Sequence, residues 1–337
     1  MTQDDFTETV TADDVATLAG VSRWTVNRAF KPEASISEKT RTKVMAAAQQ
    51  LGYVPDLQAA SLASDRSNLV ALLVDDFANP HKLVMMEKLT RILRQNRWDT
   101  LLVNTLDAED ATSALLTASQ RRVDAAVLIG VQFDDQVLKT ALGARRVRKL
   151  ILFARQSENP NTISICCDDQ AAMTTIADYV IAQGYQRPLF LAGPQTVSAH
   201  LHRKETFVAR WQAAKDHPCP VIPVGAYDPD LAYQTVAERL QGLTDSNRPD
   251  VLVCENDALA MGAIDALRYE LGLQVPQDIA VTGFDDAPLA ASPHYRLTTY
   301  RQPLADMVQG LVQVLKGETP DTPLTGFEGE LIIRASA

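Results

Sequence analysis

Arg23, Trp24, Asn27 and Arg28 crowd into the short segment SRWTVNRAF, which runs from Ser22 to Phe30. A guanidinium can donate two parallel hydrogen bonds to the O6 and N7 edge of guanine, and a carboxamide offers the donor and acceptor that adenine requires. Ser22, Thr25, Ser37 and Thr40 add short hydroxyls of the kind that bond phosphate oxygens. Between Arg23 and Lys43 the cations Arg23, Arg28, Lys31, Lys39, Arg41 and Lys43 outnumber Glu33 and Glu38 by four, on a chain of net charge −10. The overall sign argues against non-specific polyanion binding by the whole molecule, so the local surplus marks one face. Contact with double-stranded DNA is the chemistry these residues suit. A small helical bundle serving some other interaction is the alternative.

The elements that must hold these residues are legible around them. Thr11 and Asp14 form a capping box, with Asp13 and Asp14 placed against the positive end of a helix. Val15, Leu18 and Ala19 are expected to give that helix its apolar face. Gly20 permits a tight turn, and Ser22 caps a second helix through Phe30. Two short helices joined this way make a helix-turn-helix, whose second helix enters the major groove by its N-terminal end. A third helix is predicted from Ser37, with Val44, Ala47, Ala48 and Leu51 at helical spacing. Gly52 stops it, Pro55 blocks continuation, and DLQAASLAS follows as a short, weak helix or linker.

From Leu69 the texture changes. Apolar runs of strand length (LVALLVDD, DTLLVNT, VDAAVLIG, RKLILFA, then RPLFLAG, PVIPVGA, DVLVCEN and DIAVTGFDD) alternate with amphipathic helical stretches, one of them QVLKTALGAR. Such strands imply parallel sheets covered on both faces. Two series imply an α/β core of two doubly wound subdomains, with a ligand crevice beyond the strands' carboxyl ends. The length of 337 residues suits two or three domains, and 46% hydrophobic with 22% charged residues is ordinary for a globular protein. No apolar run reaches membrane-spanning length, so no membrane association is expected. The acidic N-terminus is the opposite of a secretory signal. Cys166, Cys167, Cys219 and Cys254 lack metal-ligand spacing and read as reduced, buried thiols, which points to the cytoplasm. No GxSxG, Walker, GxGxxG or HExxH pattern occurs, so neither an enzyme nor a metal or other cofactor is expected.

The pieces VTADDVATLAGVSRWTVNRAF and ISEKTRTKVMAAAQQLGYVPD, then Asn79-Pro80, RRVDAAVLIG, LAGP, CENDALAMGAIDA, VPQDIAVTGFDD and LTTYRQP, occur in order along the whole chain. This ordered set resembles the lactose/galactose-repressor family of bacterial transcription regulators. The resemblance implies a headpiece over 1–55 and a hinge helix or linker over 56–66. It also implies a periplasmic-binding-protein-like core, whose first subdomain comprises 67–166 and 299–326 and whose second comprises 167–298 and 327–337. It further implies a homodimer on a near-palindromic operator, acting as an effector-controlled repressor of carbohydrate-utilisation genes. The end of the chain, GELIIRASA, shows no heptads, so a dimer is expected over a tetramer.

By position, the resemblance places Thr11, Ser22, Thr25, Asn27, Ser37, Thr40 and Tyr53 at or next to operator-backbone contacts. It gives Arg23 and Trp24 the choice of operator, and Arg28 a base contact. Leu62 matches a leucine that wedges into the minor groove. Ala60 stands where many members carry arginine, and Leu57 and Gln58 are atypical, which implies weaker backbone affinity and salt dependence. In the crevice the matching positions are Arg203, Asn256, Asp257, Asp285 and Gln302, with Lys82 and Arg155 added. Each has a plainer reading: Asp257 as a helix cap, Asp285 and Asp286 as caps of a turn, Arg203 as a surface ion pair. His81 and Lys82 replace aromatic residues of the purine-responsive branch, and Ala154 replaces a common aspartate. Lys82, Arg155 and Arg203 together suit a carboxylate or phosphate, so an anionic sugar derivative is expected over a neutral sugar. His200 and His202 lie near the crevice loop, and surface placement is expected for them. The rival reading is a solute-binding receptor of the same core fold without DNA activity. It would need a secretory signal in place of the helix-turn-helix.

Overall fold

A computed structural model describes residues 10–31, 34–56, 66–105, 107–130, 133, 147–194 and 199–337. The chain divides into two compact units, Met1–Ser67 and Asn68–Ala337. Leu57, Gln58, Ala60 and Leu62 lie outside the described residues, as does the whole of QVLKTALGAR.

The first unit holds α1 (Ala12–Ala19), α2 (Arg23–Ala29) and α3 (Glu38–Leu51). Thr11 and Asp14 close the predicted capping box, and Ser22 and Ser37 cap the next two helices through their hydroxyls. Gly20 and Gly52 end α1 and α3 in the left-handed region, where a side chain would be strained. Val15, Ala16, Ala19, Val26, Ala29, Val44, Ala47 and Ala48 form a small core. Leu18 is not part of it. It is 45% exposed, because α1 buries the stripe Ala12, Val15, Ala16 and Ala19, and Leu18 falls beside that stripe. Arg41 reaches from α3 to the carbonyls of Ala29, Lys31 and Ala34, the last two at 3.2 Å. It therefore fastens the segment after α2 to α3, and is a bracing cation more than a phosphate-facing one.

The second unit contains two sheets. The first has the order β2-β1-β3-β4-β6, all parallel, built from β1 (Leu69–Val74), β2 (Asp99–Asn104), β3 (Ala125–Ile129), β4 (Lys149–Phe153) and β6 (Ile163–Ile165). Along β1, Val70, Leu72 and Val74 join the core formed with α4 (His81–Gln95) and α10 (Leu304–Lys316). Ala71 and Leu73 face the opposite way, onto α5 (Ala108–Gln120). Both faces are covered, which is why β1 is apolar without alternation.

The second sheet has the order β13-β12-β11-β10-β7-β9. Its strands are β7 (Pro188–Ala192), β9 (Val221–Pro223), β10 (Val251–Cys254), β11 (Ala280–Asp285), β12 (Thr298–Arg301) and the antiparallel edge β13 (Glu330–Ile332). Helices α6 (Asp169–Ala182) and α7 (Arg203–Ala214) cover one face, and α8 (Pro229–Leu240) and α9 (Asp257–Asp265) the other. A two-residue pair, β5 (Gln156–Ser157) with β8 (Ala199–His200), links the two subdomains.

The expected boundary at 299 moves. Thr299, Tyr300 and Arg301 pair with Gly283, Phe284 and Asp285, so β12 belongs wholly to the second sheet. The chain crosses at Gln302-Pro303, and α10 then packs in the first subdomain. Near residue 327 it returns, where Asp168 N donates to Phe327 O at 2.9 Å.

The Arg41 clip generates a prediction. Arg41→Met removes charge-assisted bonds worth about 1.5–3 kcal/mol in total or more. Hydrogen exchange of the α2 amides in the full chain should accelerate by roughly ten- to hundredfold. Unchanged exchange would show that the clip contributes nothing to headpiece stability.

Candidate DNA-reading face and ligand crevice

The start of α2 carries the first candidate site. Ser22 Oγ accepts from Thr25 N at 3.2 Å and shares a hydrogen with Thr25 Oγ1 at 2.9 Å. Ser37 and Thr40 repeat this at the start of α3, at 3.2 and 2.7 Å. Each pair therefore stands at a helix N-terminus, where unpaired N–H groups favour anions such as phosphate. Trp24 is 65% exposed and Asn27 is exposed. Arg23 is equally open and holds Asp13 at 3.1 Å. The Arg28 guanidinium lies 4.4 Å above the Trp24 ring and donates to Ser35 O at 2.6 Å. Both arginines thus rest on weak, solvent-exposed partners that a base edge can replace.

Two expected contacts look different in three dimensions. Thr11 Oγ1 donates to Asp14 Oδ2 at 2.7 Å, and this bond keeps the Asp14 carboxyl below the usual carboxylate range. Its hydroxyl is therefore engaged in capping beside a negative charge. Tyr53 packs edge-on against Phe30 with ring centroids 5.6 Å apart, so much of its role is to close the headpiece core.

The second site lies where the strands of both sheets end. Asp75, Asp76 and Asn79 follow β1, Gly130 follows β3, and Ala154 and Arg155 follow β4. From the other sheet come Gly193 after β7, Glu255 and Asn256 after β10, and Asp285 at the end of β11. Lys82, Arg155, Arg203, Tyr227, Asn256, Asp285 and Gln302 all line a cavity of ≈ 40 Å³ between the subdomains. That volume is far below the roughly 300–1,000 Å³ of typical ligand pockets. The crevice is closed by its own side chains.

Those side chains form three groups. Lys82 Nζ donates to Ile129 O at 3.3 Å and lies 3.6 Å from Asp75. Gly130 is required beside this pair, since a Cβ there would lie 1.8 Å from the Asp75 carboxylate. Burial lowers the pKa of Lys82 and raises that of Asp76 to about 6.

Arg203 is the second centre. Its Nε donates to Asp169 at 2.9 Å, its Nη1 donates to Glu255 O at 3.0 Å, and Asp285 is 3.8 Å away. The guanidinium also lies 3.6 Å over the Phe284 ring, and the two carboxylates hold it firmly charged. With 4% exposure, Arg203 is no surface ion pair. Asp285 further accepts from Gln302 Nε2 at 2.6 Å and faces His81 Nε2 at 4.0 Å. Burial lowers the pKa of His81, which favours the neutral imidazole.

The third group bridges the subdomains. Arg155 Nη2 donates to Tyr227 Oη at 3.3 Å, which donates to Glu255 Oε2 at 3.0 Å. Gly193 N donates to the same carboxylate oxygen at 2.5 Å. Tyr227 and Glu255 escaped sequence reasoning. Glu255 adjoins Asn256 in CEND, and Tyr227 immediately precedes the Asp228 cap of α8, so proximity to those features was the available signal.

Three sequence expectations change. Asp257 does not line the cavity. Fully buried, it accepts from Ala287 N at 2.7 Å and Thr299 Oγ1 at 2.6 Å, bracing the turn that follows Asp285. Neither is Asp257 the cap of α9; that is Asn256, which accepts from Leu259 N at 3.0 Å while still lining the cavity. Asp286 pairs with Arg301 and Arg334, both at 2.7 Å. The anionic ligand was expected because three cations looked unbalanced. In the folded chain Lys82 faces Asp75, Arg203 faces Asp169 and Asp285, and Arg155 meets Tyr227 bound to Glu255. An added carboxylate or phosphate finds no unopposed charge there.

A helix-turn-helix unit followed by a two-subdomain core with a crevice at the strand ends defines a DNA-binding regulator with a periplasmic-binding-like core. Residues 11–56 match the lacI family of bacterial regulatory proteins, and residues 177–337 match the periplasmic binding protein-like domain. The sucrose operon repressor of Escherichia coli is 29% identical over 286 residues, covering 81% of this chain and 83% of that protein. The lac repressor dimer bound to operator and the anti-inducer ONPF superposes with a TM-score of 0.82 at 25% identity, covering 98% of this chain and 99% of that one. The transcriptional regulator CelR in complex with cellobiose has a TM-score of 0.68 at 25% identity, over 97% and 100% of the two chains. The chain thus joins a lacI-family regulatory domain to a periplasmic binding protein-like domain. Among the described residues no helix is long and apolar enough to cross a membrane.

Asp76 gives this site a measurable pH signature. Its folded pKa of about 6 exceeds the ordinary 3.8, so the folded state binds the extra proton between those values. The stability it contributes is complete below about pH 4 and is lost as the pH rises to about 6. Asn carries no such charge and tolerates the left-handed backbone found here, with φ at 55°. The Tm of Asp76→Asn should therefore gain on wild type between pH 4 and 6, then run parallel. A pH-independent difference would contradict the assignment.

Proposed function

We propose that the chain represses carbohydrate-utilisation genes as a homodimer on a near-palindromic operator, under control of a small, neutral, hydroxyl-rich effector in the crevice. The observation that carries this reading is that the cations lining the crevice are already engaged, Lys82 with Asp75, Arg203 with Asp169 and Asp285, and Arg155 with the Tyr227 hydroxyl. A sugar hydroxyl both donates and accepts, so it can insert between Lys82 and Asp75, or between Arg203 and Asp285, without leaving either member unpaired. A carboxylate can only accept. The sucrose operon repressor and the cellobiose-bound CelR support the same ligand class.

A ligand of sugar size requires the subdomains to open, because ≈ 40 Å³ does not hold one. Such a ligand shifts the equilibrium only by its preference for one arrangement. The first subdomain begins at β1, which directly follows the linker, so a change in its position is passed to that linker. On the DNA side, Ser22, Thr25, Ser37 and Thr40 are assigned to phosphates, and Arg23, Trp24, Asn27 and Arg28 to base edges. Leu62 keeps its proposed wedge role.

Band-shift titration on the promoter regions beside its own gene, with matched neutral sugars and sugar acids, tests the reading. Arg28→Ala should weaken the specific operator by about 1–3 kcal/mol and random DNA much less. Equal losses would make Arg28 a phosphate contact. A neutral sugar should alter operator affinity and raise Tm, while its acid counterpart does neither at the same concentration. Preference for the acid would overturn the charge argument. Operator switching that survives Arg203→Ala combined with Asp285→Ala would overturn the site.

A further inference from the structure

A cavity much larger than the crevice lies elsewhere in the second subdomain. A groove of ≈ 630 Å³ opens at the amino ends of β7 and β9, beside the last turn of α8. Its volume falls within the range typical of small-molecule sites. Leu240, Leu243 and Pro249 supply apolar walls, while Arg187, Arg239 and His217 stand around it. No carboxylate side chain lines it among the described residues, although the chain as a whole carries a net charge of −10.

The two arginines are placed differently. Arg187 Nε donates to Arg248 O at 2.8 Å, which fixes the plane of the guanidinium. Arg239 ends α8, is exposed and makes no ion pair among the described residues. An oriented guanidinium beside a free one suits a planar carboxylate or a phosphate ester, since Arg binds such groups bidentately. The apolar walls suit the remainder of an amphipathic molecule. This is the reverse of the crevice, where every cation has an acidic counterpart.

We propose that this groove binds a small organic anion with an apolar body, at a site separate from the crevice. The two sites share elements. β7 runs from the groove to Gly193, whose N–H holds Glu255. α8 runs from Pro229, just after Tyr227, to Arg239 and Leu240 at the groove. An anion at one end therefore contacts the strand and helix that carry crevice residues at the other.

Isothermal calorimetry on the full chain tests the proposal, using benzoate and phenyl phosphate, with benzamide as the uncharged control. Saturable binding of either anion is expected, about tenfold or more tighter than benzamide. Arg239→Glu should weaken it by about tenfold or more, and Arg239→Lys should restore part of the loss. Because Arg239 is exposed, both variants should melt like wild type. Asp285→Asn, which alters the crevice alone, should leave anion binding unchanged. No binding up to about 10 mM, equal binding of benzamide, or binding that survives Arg239→Glu would overturn the proposal. A changed affinity in Asp285→Asn, tighter binding above all, would place the anion in the crevice and overturn it as well. The repressor reading stands or falls separately, since it depends on operator and sugar.

Discussion

Charges withdrawn from water must find partners, and the core is organised around that requirement. Arg203, Lys82 and Arg155 are each 8% exposed or less, as are Asp75, Asp169, Glu255 and Asp285. Removing one member of such a buried pair typically costs about 3–5 kcal/mol, because the other is left uncompensated. Asp285 shows how this binds the halves together. It ends β11 in the second subdomain, yet meets Gln302 at the crossing and His81 at the start of α4 in the first. Arg155 and Tyr227 join the subdomains on the other flank. Closure is therefore held by polar groups that a ligand of matching hydrogen-bond capacity can replace.

The headpiece applies the same logic on a weaker scale. Arg23 holds Asp13 and Arg28 holds Trp24 and Ser35, but these contacts are solvent-exposed. Exposed pairs are worth about 0–1 kcal/mol, so DNA acceptors displace them readily. Arg41, by contrast, spends its donors on backbone carbonyls and helps hold α2 against α3. Within one basic segment, burial and partners separate cations that read from a cation that braces.

Much of this is legible in the sequence. Caps at Thr11, Ser22 and Ser37 are local, and both-sided burial makes β1, β3, β7 and β10 visibly apolar. β12 was harder, because Thr298 and Thr299 are fully buried yet polar, satisfied by Ser336, Arg334 and Asp257 from distant segments. That network also explains why Asp257 misled. Its type and motif suit a ligand contact, but its two bonds reach thirty and forty-two residues along the chain. The balance of charge in the crevice was equally hidden, since Lys82 and Asp75 meet only through the strand-to-helix turn. Sequence shows which charges exist; the fold decides which of them cancel.

The central claim is that the crevice is held closed by pairings across it, with Asp285 at their centre. Spin labels on exposed Glu87 in α4 and Glu238 in α8 would report the distance between the subdomains by double electron–electron resonance. Wild type should give one narrow distribution. Asp285→Ala should broaden it and shift it to longer distances, because Arg203, Gln302 and His81 lose their common partner. An unchanged narrow distribution in that variant would contradict the account.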